Sequence, residues 1–477
     1  MPPETAEPEP GEYVSWREFL GSGYSASLAL VCLAVWLHAA DSLIVATMLP
    51  SIVGDIGGAA FVGWTVAIYE IGSIVAGAAS ALLAMRHGLR RPMSLAALLF
   101  GLGCAVSAAA GSMPILLAGR LLQGAGGGAL IALAMIAAIT IFPRRYVPRA
   151  VASVSTFWGA SAFLGPLIGG LFVEYGNWRA GFWFFAAMAA LLALWLAISP
   201  AAGAAVTNVV TKAFPLRRLM LLSTAVILIA AGGIDVDLFG TTLLVAAGLA
   251  CLVVFLWLDN AAVDNRMLPL GAVDPRSPTG SALLMFLAFS IGTIAITAFG
   301  PLLMTIIHGT SALVAGYVVA CSSIGWSVAA VMFSGSPERL DRHLIAIGMG
   351  IVTLSIVGFV FSVPNGPVWL IAVCATLEGA GFGMAWSFML RRMTALAPQS
   401  EHERISAALP TIQRLGYALG ASYVGIVANA SGFLAMNSSA DGANVARILF
   451  LACLPFAAIG FVAMIGLVRR YPNEDVT

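Results

Sequence analysis

Charged residues are scarce in this sequence of 477 residues. Asp, Glu, Lys and Arg together make up 9% of the chain, and the mean hydropathy is +0.97. A soluble domain carries about 25% charged residues, because its surface must interact with water. The scarcity of charge therefore excludes a water-soluble enzyme of this size. The formal net charge of +1 also gives no reason to propose a nucleic-acid partner.

Cysteine is also scarce, and several chemical motifs are absent. The six cysteines lie within apolar stretches and form no CxxC pair, so we expect buried thiols rather than disulfides or metal ligands. The sequence contains no GxxxxGK[ST] loop for nucleotide phosphates and no HExxH or GxSxG catalytic cluster. These absences argue against an ATP-driven pump, a metal centre and a polytopic membrane enzyme.

Long apolar runs are abundant. Hydrophobic residues make up 60% of the chain, which at about 20 residues per span of a ~30 Å hydrocarbon core corresponds to roughly fourteen helices. The runs are continuous rather than alternating, which indicates membrane helices and not barrel strands. The predicted spans are 26–50, 61–84, 93–111, 114–140, 150–173, 180–199, 218–234, 239–258, 280–304, 313–333, 344–362, 367–390, 405–429 and 446–468.

Lysine and arginine indicate how the chain is oriented. If the N-terminus is cytoplasmic, 19 of the 23 Lys and Arg residues fall on the cytoplasmic side, as the positive-inside rule requires. Only Arg179 and Arg447 fall outside, and Arg120 and Arg414 lie within spans. Removing 218–258 would leave twelve spans with the same orientation, so charge does not decide between twelve and fourteen. The lengths of the two runs favour fourteen.

The predicted fold class is an all-α membrane protein with both termini cytoplasmic. A glycine-rich stretch at 120–128 has a weak counterpart at 378–383, and transporters build two rocking bundles from such repeats. The organisation we predict is a cytoplasmic tail at 1–25, a six-helix bundle at 26–199, an inserted helix pair at 218–258, a second six-helix bundle at 280–468 and a cytoplasmic tail at 469–477.

Two glycine-rich stretches stand out within the spans. The first runs from Arg120 to Gly128 and places an arginine within a span, where the side chain usually faces a cavity or a partner. Its glycines let a neighbouring helix approach closely. The second runs from Gly159 to Gly170 around Pro166, which is typical of a bent, tightly packed helix. From the residues alone, Arg120 could instead extend to the surface, and the second stretch could serve packing only.

With these motifs the sequence resembles the major facilitator superfamily, and specifically its fourteen-helix drug:proton antiporter branch. The first stretch is similar to the fourth-helix motif R-x-x-Q-G-x-G, and the second to the fifth-helix antiporter motif G-x-x-x-G-P-x-x-G-G. The segment 41–50, which ends in Leu-Pro, is similar to the first-helix motif. The resemblance implies that conformational change involves Arg86, Gly88, Arg90, Arg91, Gln123, Gly124, Gly165, Pro166, Gly169 and Gly170.

One departure from the family lies in the loop between the second and third spans. The family motif has an aspartate at the position of Met85. In the family, that carboxylate belongs to a cytoplasmic charge network that helps to hold one conformation. We therefore expect the fold to be retained without the usual network, in which case Arg86, Arg90 and Arg91 could serve only as topology anchors.

Few residues in the spans could carry a proton, because this needs a carboxylate or histidine whose pKa responds to burial and to nearby charge. Asp41 and Glu70 are each nine residues from the outer end of their spans, about 13 Å deep, and Arg120 is about 9 Å deep. A carboxylate–arginine pair is therefore possible in the first bundle. Arg120 does not release its proton, so it can act only as a fixed positive charge. His38 lies on the helical face of Asp41.

Glu378 is the candidate in the second bundle, about 16 Å deep and near the midplane. Each candidate also has a structural interpretation. Asp41 could form a structural pair, Glu70 could be a protonated acid bonded to a hydroxyl, and His38 is more often a satisfied core histidine than a proton relay. For Glu378 we favour the functional interpretation, because an isolated acid at this depth has little structural use. Arg414 could be a charge partner or an anchor.

Aromatic residues within the spans could line a cavity for amphiphiles, and the acids could attract cationic groups. Such residues more often pack in the core or against lipid. The candidates for substrate binding are Trp36, Tyr69, Trp158, Phe289, Trp326, Trp386 and Tyr417.

The resemblance implies a multi-pass secondary transporter of the bacterial cytoplasmic (inner) membrane. It would export hydrophobic or amphiphilic compounds in exchange for protons, by alternating access, and so contribute to multidrug efflux and antibiotic resistance. We expect a monomer that needs no cofactor and whose partners are lipid, protons and a small amphiphilic substrate. The alternative with the same fold is an exporter dedicated to a lipid, siderophore or metabolite. The alternative from another class is a polytopic membrane enzyme.

Overall fold

The computed structural model describes residues 15–199, 214–262 and 266–469 of the chain. In these ranges the chain forms α-helices, short 3-10 turns and loops, with no β-strand. A short helix, α1 (Trp16–Gly21), precedes fourteen longer ones. These are α2 (Ser25–Ile56), α3 (Val62–His87), α4 (Arg90–Ala108), α5 (Met113–Thr140), α6 (Val147–Tyr175), α7 (Trp178–Ile198), α8 (Leu216–Ala231), α9 (Leu238–Ala261), α10 (Pro278–His308), α11 (Ala312–Phe333), α12 (Asp341–Asn365), α13 (Val368–Ala395), α14 (His402–Ala430) and α15 (Ser439–Val468).

Each predicted span coincides with one of the helices α2 to α15, so the predicted all-helical membrane fold is confirmed. Twelve of these helices are long and apolar enough by themselves to cross a membrane. The other two are α8, which has 16 residues, and α14, which carries Arg404, Gln413 and Arg414. Most of the predicted terminal tails, residues 1–14 and 470–477, lie outside the described residues.

The predicted end of the first span at Pro50 is wrong. The helix α2 continues through Pro50 to Ile56, and α10 likewise passes Pro301 and ends at His308. A proline inside a membrane helix removes one backbone donor, but neighbouring helices and side chains can satisfy the freed carbonyl. Proline is therefore a weaker stop signal here than in a soluble helix.

The packing separates six helices on each side of the molecule. We call α2–α7 the N-terminal set and α10–α15 the C-terminal set. One buried apolar cluster takes its residues from α1–α7, including Phe100 and Phe182. A second cluster is built mainly from α8–α15, including Phe289 and Phe359. The exact division into the bundles predicted from the sequence stays a prediction.

The two ends of the helices can be distinguished by their contacts. We call the end at which α2 begins and α15 ends the near face, and the opposite end the far face. At the far face, Arg179 of α7 pairs with Asp55 of α2 and donates to the carbonyl oxygen of Ala110 at 2.9 Å. At the near face, Arg342 of α12 donates to the carbonyl oxygen of Val468 at 2.7 Å. The predicted orientation would make the near face cytoplasmic.

The N-terminal and C-terminal sets meet in the far half of the molecule, along a contact that we call the far-face seam. In the seam α3 packs on α14. The carbonyl oxygen of Ala421 lies against Gly63, where it would overlap a Cβ, so the two backbones touch. A second contact joins α6 to α11, where a Cβ on Gly170 would lie 2.5 Å from the side chain of Leu313 and one on Gly159 would lie 3.7 Å from Ser327 Oγ. The helix α2 also contacts α11, since a Cβ on Gly316 would overlap Thr47 Oγ1. Toward the near face, α6 instead exposes residues 155–158. We infer that the two sets separate toward the near face.

The inserted helices α8 and α9 pack beside this seam. Trp64 of α3 donates from Nε1 to the carbonyl oxygen of Ala230 in α8 at 3.2 Å. Asn429 of α14 donates from Nδ2 to the carbonyl oxygen of Gly233 at 2.5 Å and to that of Ala60 at 3.1 Å. The end of α8 is therefore hydrogen-bonded to both sets at the far face.

Candidate functional site

A buried ion pair joins α2 to α5 within the N-terminal set. Arg120 donates from Nη1 to Asp41 Oδ2, and only 3% and 1% of the two side-chain surfaces are exposed. Arg120 also donates to Gln123 Oε1 at 2.6 Å and to the carbonyl oxygen of Thr65 at 3.3 Å. The second carboxylate oxygen, Asp41 Oδ1, is buried and has no hydrogen-bond partner among the described residues. One oxygen of this acid is therefore available to take up a proton.

The ring of Tyr69 covers the arginine. The guanidinium carbon of Arg120 lies 4.2 Å from the centroid of the Tyr69 ring, within the range of a cation–π interaction. Gln123, which accepts from Arg120, donates from Nε2 to Cys104 Sγ at 3.3 Å. These contacts fix the position of the guanidinium and of the amide that supports it.

The glycine run of α5 explains why these groups can come so close. A Cβ on Gly124 would overlap the carbonyl oxygen of Tyr69, and a Cβ on Gly127 would lie 2.8 Å from His38 Nδ1 and 3.0 Å from Tyr69 Oη. Glycine therefore lets the backbones of α3 and α5 touch. It also leaves space for the contact between His38 and Tyr69.

A second ion pair crosses from the C-terminal set to the N-terminal set. Arg414 of α14 donates from Nη1 to Glu70 Oε2 at 3.2 Å and to Ser73 Oγ at 2.5 Å, both on α3. The side chain of Arg414 is 20% exposed and that of Glu70 is 13% exposed. This pair is therefore less enclosed than the pair of Asp41 and Arg120.

His38 lies between the two ion pairs. Arg414 Nη2 is 2.9 Å from His38 Nε2, and Tyr69 Oη is 2.8 Å from His38 Nδ1. Because arginine only donates, Nε2 must be the acceptor, which assigns the ring proton to Nδ1 and makes Tyr69 Oη its acceptor. The ring of Trp158, which is 42% exposed, lies edge-on to His38 with the centroids 5.9 Å apart.

Four of the five predicted proton-coupling residues, Asp41, Glu70, Arg120 and His38, lie in one cluster. The structure adds Arg414, and we call these five residues the charge cluster. Arg414 is the residue that the sequence interpretation left undecided. The signal that could have identified it is a polar pair, Gln413-Arg414, inside an otherwise apolar span.

Glu378, the fifth predicted residue, lies apart in the C-terminal set. It is on α13 and is 6% exposed. Ser322 of α11 donates to Glu378 Oε1 at 3.4 Å, and Oε2 has no partner among the described residues. A Cβ on the neighbouring Gly379 would overlap the carbonyl oxygen of Ser322, so α11 and α13 touch here as α3 and α5 do in the N-terminal set.

Three of the predicted substrate-binding aromatics pack together within the C-terminal set. Trp326 stacks on Phe382 with centroids 5.6 Å apart, Trp386 packs on Phe286 at 4.9 Å, and Phe289 is fully buried beside Phe382. In this conformation these side chains form core contacts.

The other four predicted aromatics have different surroundings. Tyr69 is buried in the charge cluster, while Trp158 is exposed at its edge. Trp36 is buried, and its Nε1 has no partner among the described residues. Tyr417 is half-buried on α14, and its hydroxyl accepts from Gln413 Nε2 at 3.0 Å. Of all seven aromatics, Trp158 is the one that combines exposure with contact to the charge cluster.

The glycines of α6 form the face that packs on α2 and α11. A Cβ on Gly165 or Gly169 would come within 3.1 or 3.2 Å of side chains of α2, and one on Gly170 would lie 2.5 Å from the first turn of α11. Pro166 lies on the same face, 3.1 Å from the position of a Cβ on Gly316. The fifth-helix motif therefore lies where α6 contacts both the helix of Asp41 and the C-terminal set.

The near-face loop between α3 and α4 is exposed. Arg86, Arg90 and Arg91 are at the surface, and no salt bridge joins them to another described residue. Their role in conformational change stays a prediction. Gly88 ends α3 with a φ of +70°, a backbone conformation that favours glycine.

Known proteins resemble this chain over most of its length. The Major Facilitator Superfamily profile matches residues 31–335. A Mycobacterium tuberculosis protein named "Probable multidrug-efflux transporter" (strain H37Rv) is 31% identical over 473 residues, which cover 96% of this chain and 97% of that protein. A Cronobacter sakazakii protein named for multidrug resistance, MdtD, is 27% identical over 467 residues, covering 94% and 95% of the two chains.

Solved structures show the same fold. The structure of a bacterial homologue of the human lysosomal transporter Spinster, in an inward-facing and unoccupied conformation, aligns with a TM-score of 0.68. The alignment covers 95% of this chain and all of the other, at 16% sequence identity. At this identity the likeness concerns the fold alone.

Proposed function

This chain belongs to the Major Facilitator Superfamily, and we propose that it is a proton-coupled secondary transporter. Its family and fold are those of transporters rather than enzymes. The proposed reaction is the export of hydrophobic or amphiphilic compounds across the bacterial cytoplasmic membrane in exchange for protons. It uses the proton gradient and no cofactor, and the protein works as a monomer.

The observation that carries the proposal is the buried pair of Asp41 and Arg120. A charge removed from water is tolerated inside a membrane protein when it is paired, and such acids are typical of proton pathways. Arg120 keeps its charge throughout, whereas Asp41 can exchange a proton through its unpartnered Oδ1. Protonation of Asp41 removes the charge attraction within the pair. The positions of α2 and α5 can in this way respond to the proton.

The shape of the molecule supports alternating access. The two sets are in contact at the far-face seam and separate toward the near face, as expected for one of the two states of such a cycle. With the near face in the cytoplasm, this state would take up substrate from the cell. The α6 glycines, which contact both sets, allow the sets to move against each other without bulky side chains between them.

The substrate class is supported by the names of the relatives and by Trp158. The relatives of M. tuberculosis and C. sakazakii are named for multidrug efflux and resistance. Trp158 offers an exposed aromatic surface beside the charge cluster, which suits an amphiphile with an apolar body and a polar group. Glu378 remains a candidate for a second proton or cation site.

Transport in proteoliposomes tests the proposal. The purified protein is reconstituted, a pH gradient is imposed, and uptake of a panel of amphiphilic dyes and of lipid-like and metabolite compounds is followed. We expect accumulation of several chemically unrelated amphiphiles, abolished when an ionophore removes the gradient. Accumulation of one metabolite with no response to any dye would favour the dedicated exporter. Accumulation that ignores the gradient would contradict proton coupling.

A further inference from the structure

We propose that Arg414 acts as a charge latch, together with Glu70 and His38, which holds the far face closed. The latch concerns how the transporter changes conformation, so it rests on the proposed function. It makes Arg414 a positioning residue: it orients the two helix sets and does not itself exchange a proton.

The first argument is where the contacts of Arg414 lie. The residue belongs to α14 in the C-terminal set, yet it donates to Glu70 Oε2, Ser73 Oγ and His38 Nε2 in the N-terminal set, at 3.2, 2.5 and 2.9 Å. Among the ion pairs formed between described residues, this is the one that joins the two sets. The far face cannot open between α3 and α14 unless all three contacts are broken.

The second argument is the position of the latch within the far-face seam. Gly63 marks the end of the seam at the far face, and Glu70 lies seven residues further along α3, about 10 Å deeper. Between the latch and the far face, α3 and α14 are joined by backbone packing at Gly63 and by the neutral hydrogen bond from Asn429 to the carbonyl oxygen of Ala60. Apolar residues of α3 in this stretch, Val62 and Ala67, also belong to the cluster built mainly from α8–α15. The latch therefore closes the inner end of the seam and supplies its charged interaction.

The third argument is the cost of breaking the contact. An arginine and a glutamate within the membrane are stabilised mainly by each other, and removal of one partner leaves the other charge poorly compensated. Opening must therefore supply new partners, either water entering from the far face or a substrate group in the cavity. His38 already accepts from Arg414 and donates to Tyr69, so movement of Arg414 also changes the surroundings of Arg120.

Distances between spin labels on the two sets test the latch directly. Ala109, just after α4, and Ala440, in the first turn of α15, are each replaced by cysteine to carry one spin label. Both positions are exposed at the far face. The two half-buried cysteines, Cys251 and Cys321, are replaced by serine, and the other four are buried or nearly so. Double electron–electron resonance in lipid nanodiscs then reports the separation of the two sets.

We expect Arg414→Gln and Glu70→Gln each to shift the population roughly tenfold toward the longer far-face distance, equivalent to about 1.4 kcal/mol. The double variant should open no further than Arg414→Gln, because that substitution already removes all three contacts of the latch, including the one to Glu70. Arg414→Lys keeps the charge, so it should stay mostly closed. The matched control is Gln413→Ala on the same helix, whose side chain bonds to Tyr417 of α14. This control should resemble the wild type.

The latch is contradicted if the far-face distance is unchanged in both glutamine variants, or if it changes for Arg414→Gln but not for Glu70→Gln. If Arg414→Gln does not give folded protein, Glu70→Gln and Arg414→Lys decide alone. The distances are measured without substrate or gradient. If the far-face distances contradict the latch but gradient-driven transport is intact, the proposed function still stands. If the distances support the latch but transport does not respond to the pH gradient, only the proposed function is contradicted.

Discussion

Substitution of Gly124 by alanine tests whether the close approach of α3 and α5 builds the charge cluster. A Cβ at this position would lie 2.7 Å from the carbonyl carbon of Tyr69 and 2.9 Å from its Cα, whereas non-bonded carbon atoms prefer about 3.5–4.0 Å. The two backbones must therefore move apart by about 1 Å. A shift of this size would break the 2.8 Å contact of Tyr69 with His38 and move its ring from Arg120.

The matched control for this substitution is Gly77→Ala on α3. A Cβ at Gly77 would lie 3.5 Å from the carbonyl oxygen of Gly128, an ordinary contact. Alanine is intrinsically better than glycine in a helix by about 1 kcal/mol, so we expect the control to be as stable as the wild type or slightly more stable. Overpacking at Gly124 should instead cost about 1–3 kcal/mol.

The assay is thermal unfolding of both variants in the same detergent, followed by gradient-driven transport in proteoliposomes. We expect Gly124→Ala to melt at a lower temperature than Gly77→Ala and to lose most of its transport. Equal melting temperatures and equal transport in the two variants would refute the argument that backbone contact at this glycine builds the site.

Substitutions at three further residues address the buried charges. Arg120→Lys should keep part of the gradient-driven export because the charge remains, whereas Arg120→Ala should lose it and destabilise the fold by about 3–5 kcal/mol, since Asp41 is left buried without its partner; melting and transport measurements check both. Glu378→Gln should fold normally but reach a smaller substrate gradient at a given pH gradient, and an unchanged gradient would leave Glu378 with a structural role. Asp259 pairs with Arg218 and accepts two backbone amides of the segment before α10, so Asp259→Ala should make this segment sensitive to limited proteolysis; wild-type resistance would contradict this.

The sequence was sufficient to predict where the helices lie and where glycine lets two helices come close. Apolar runs locate the spans because lipid requires every backbone group to be bonded within a helix. The run from Arg120 to Gly128 indicates both a buried charge and a close helix neighbour, and the structure places Tyr69 and Ser73 of α3 against it. The depth of Asp41 was counted from Pro50, whereas α2 continues to Ile56, so depth alone was a poor guide to the contact between Asp41 and Arg120.

The contact between Glu70 and Arg414 could not be predicted in this way. Residues 344 positions apart in the chain meet here, and depth in a span does not say which helices are neighbours. The predicted thirteenth span begins at residue 405, only nine residues before Arg414. The helix α14 begins at His402, so Arg414 lies twelve residues from its start, about 18 Å along the helix. The first turn of α14 contains His402 and Arg404, and a search for apolar runs does not include such polar residues in a span.

Gradient-driven transport by Asp41→Asn is the most direct test of the central claim that Asp41 carries the coupled proton. Asparagine keeps an oxygen that can accept from Arg120 but cannot exchange a proton. The variant and the wild type are reconstituted at equal amounts, and their unfolding temperatures are compared as the control for folding. We predict that Asp41→Asn remains folded, with a lower unfolding temperature than the wild type because Arg120 loses its counter-charge, yet fails to concentrate substrate when a pH gradient is imposed. If it concentrates substrate at the wild-type rate, Asp41 is not the coupling residue.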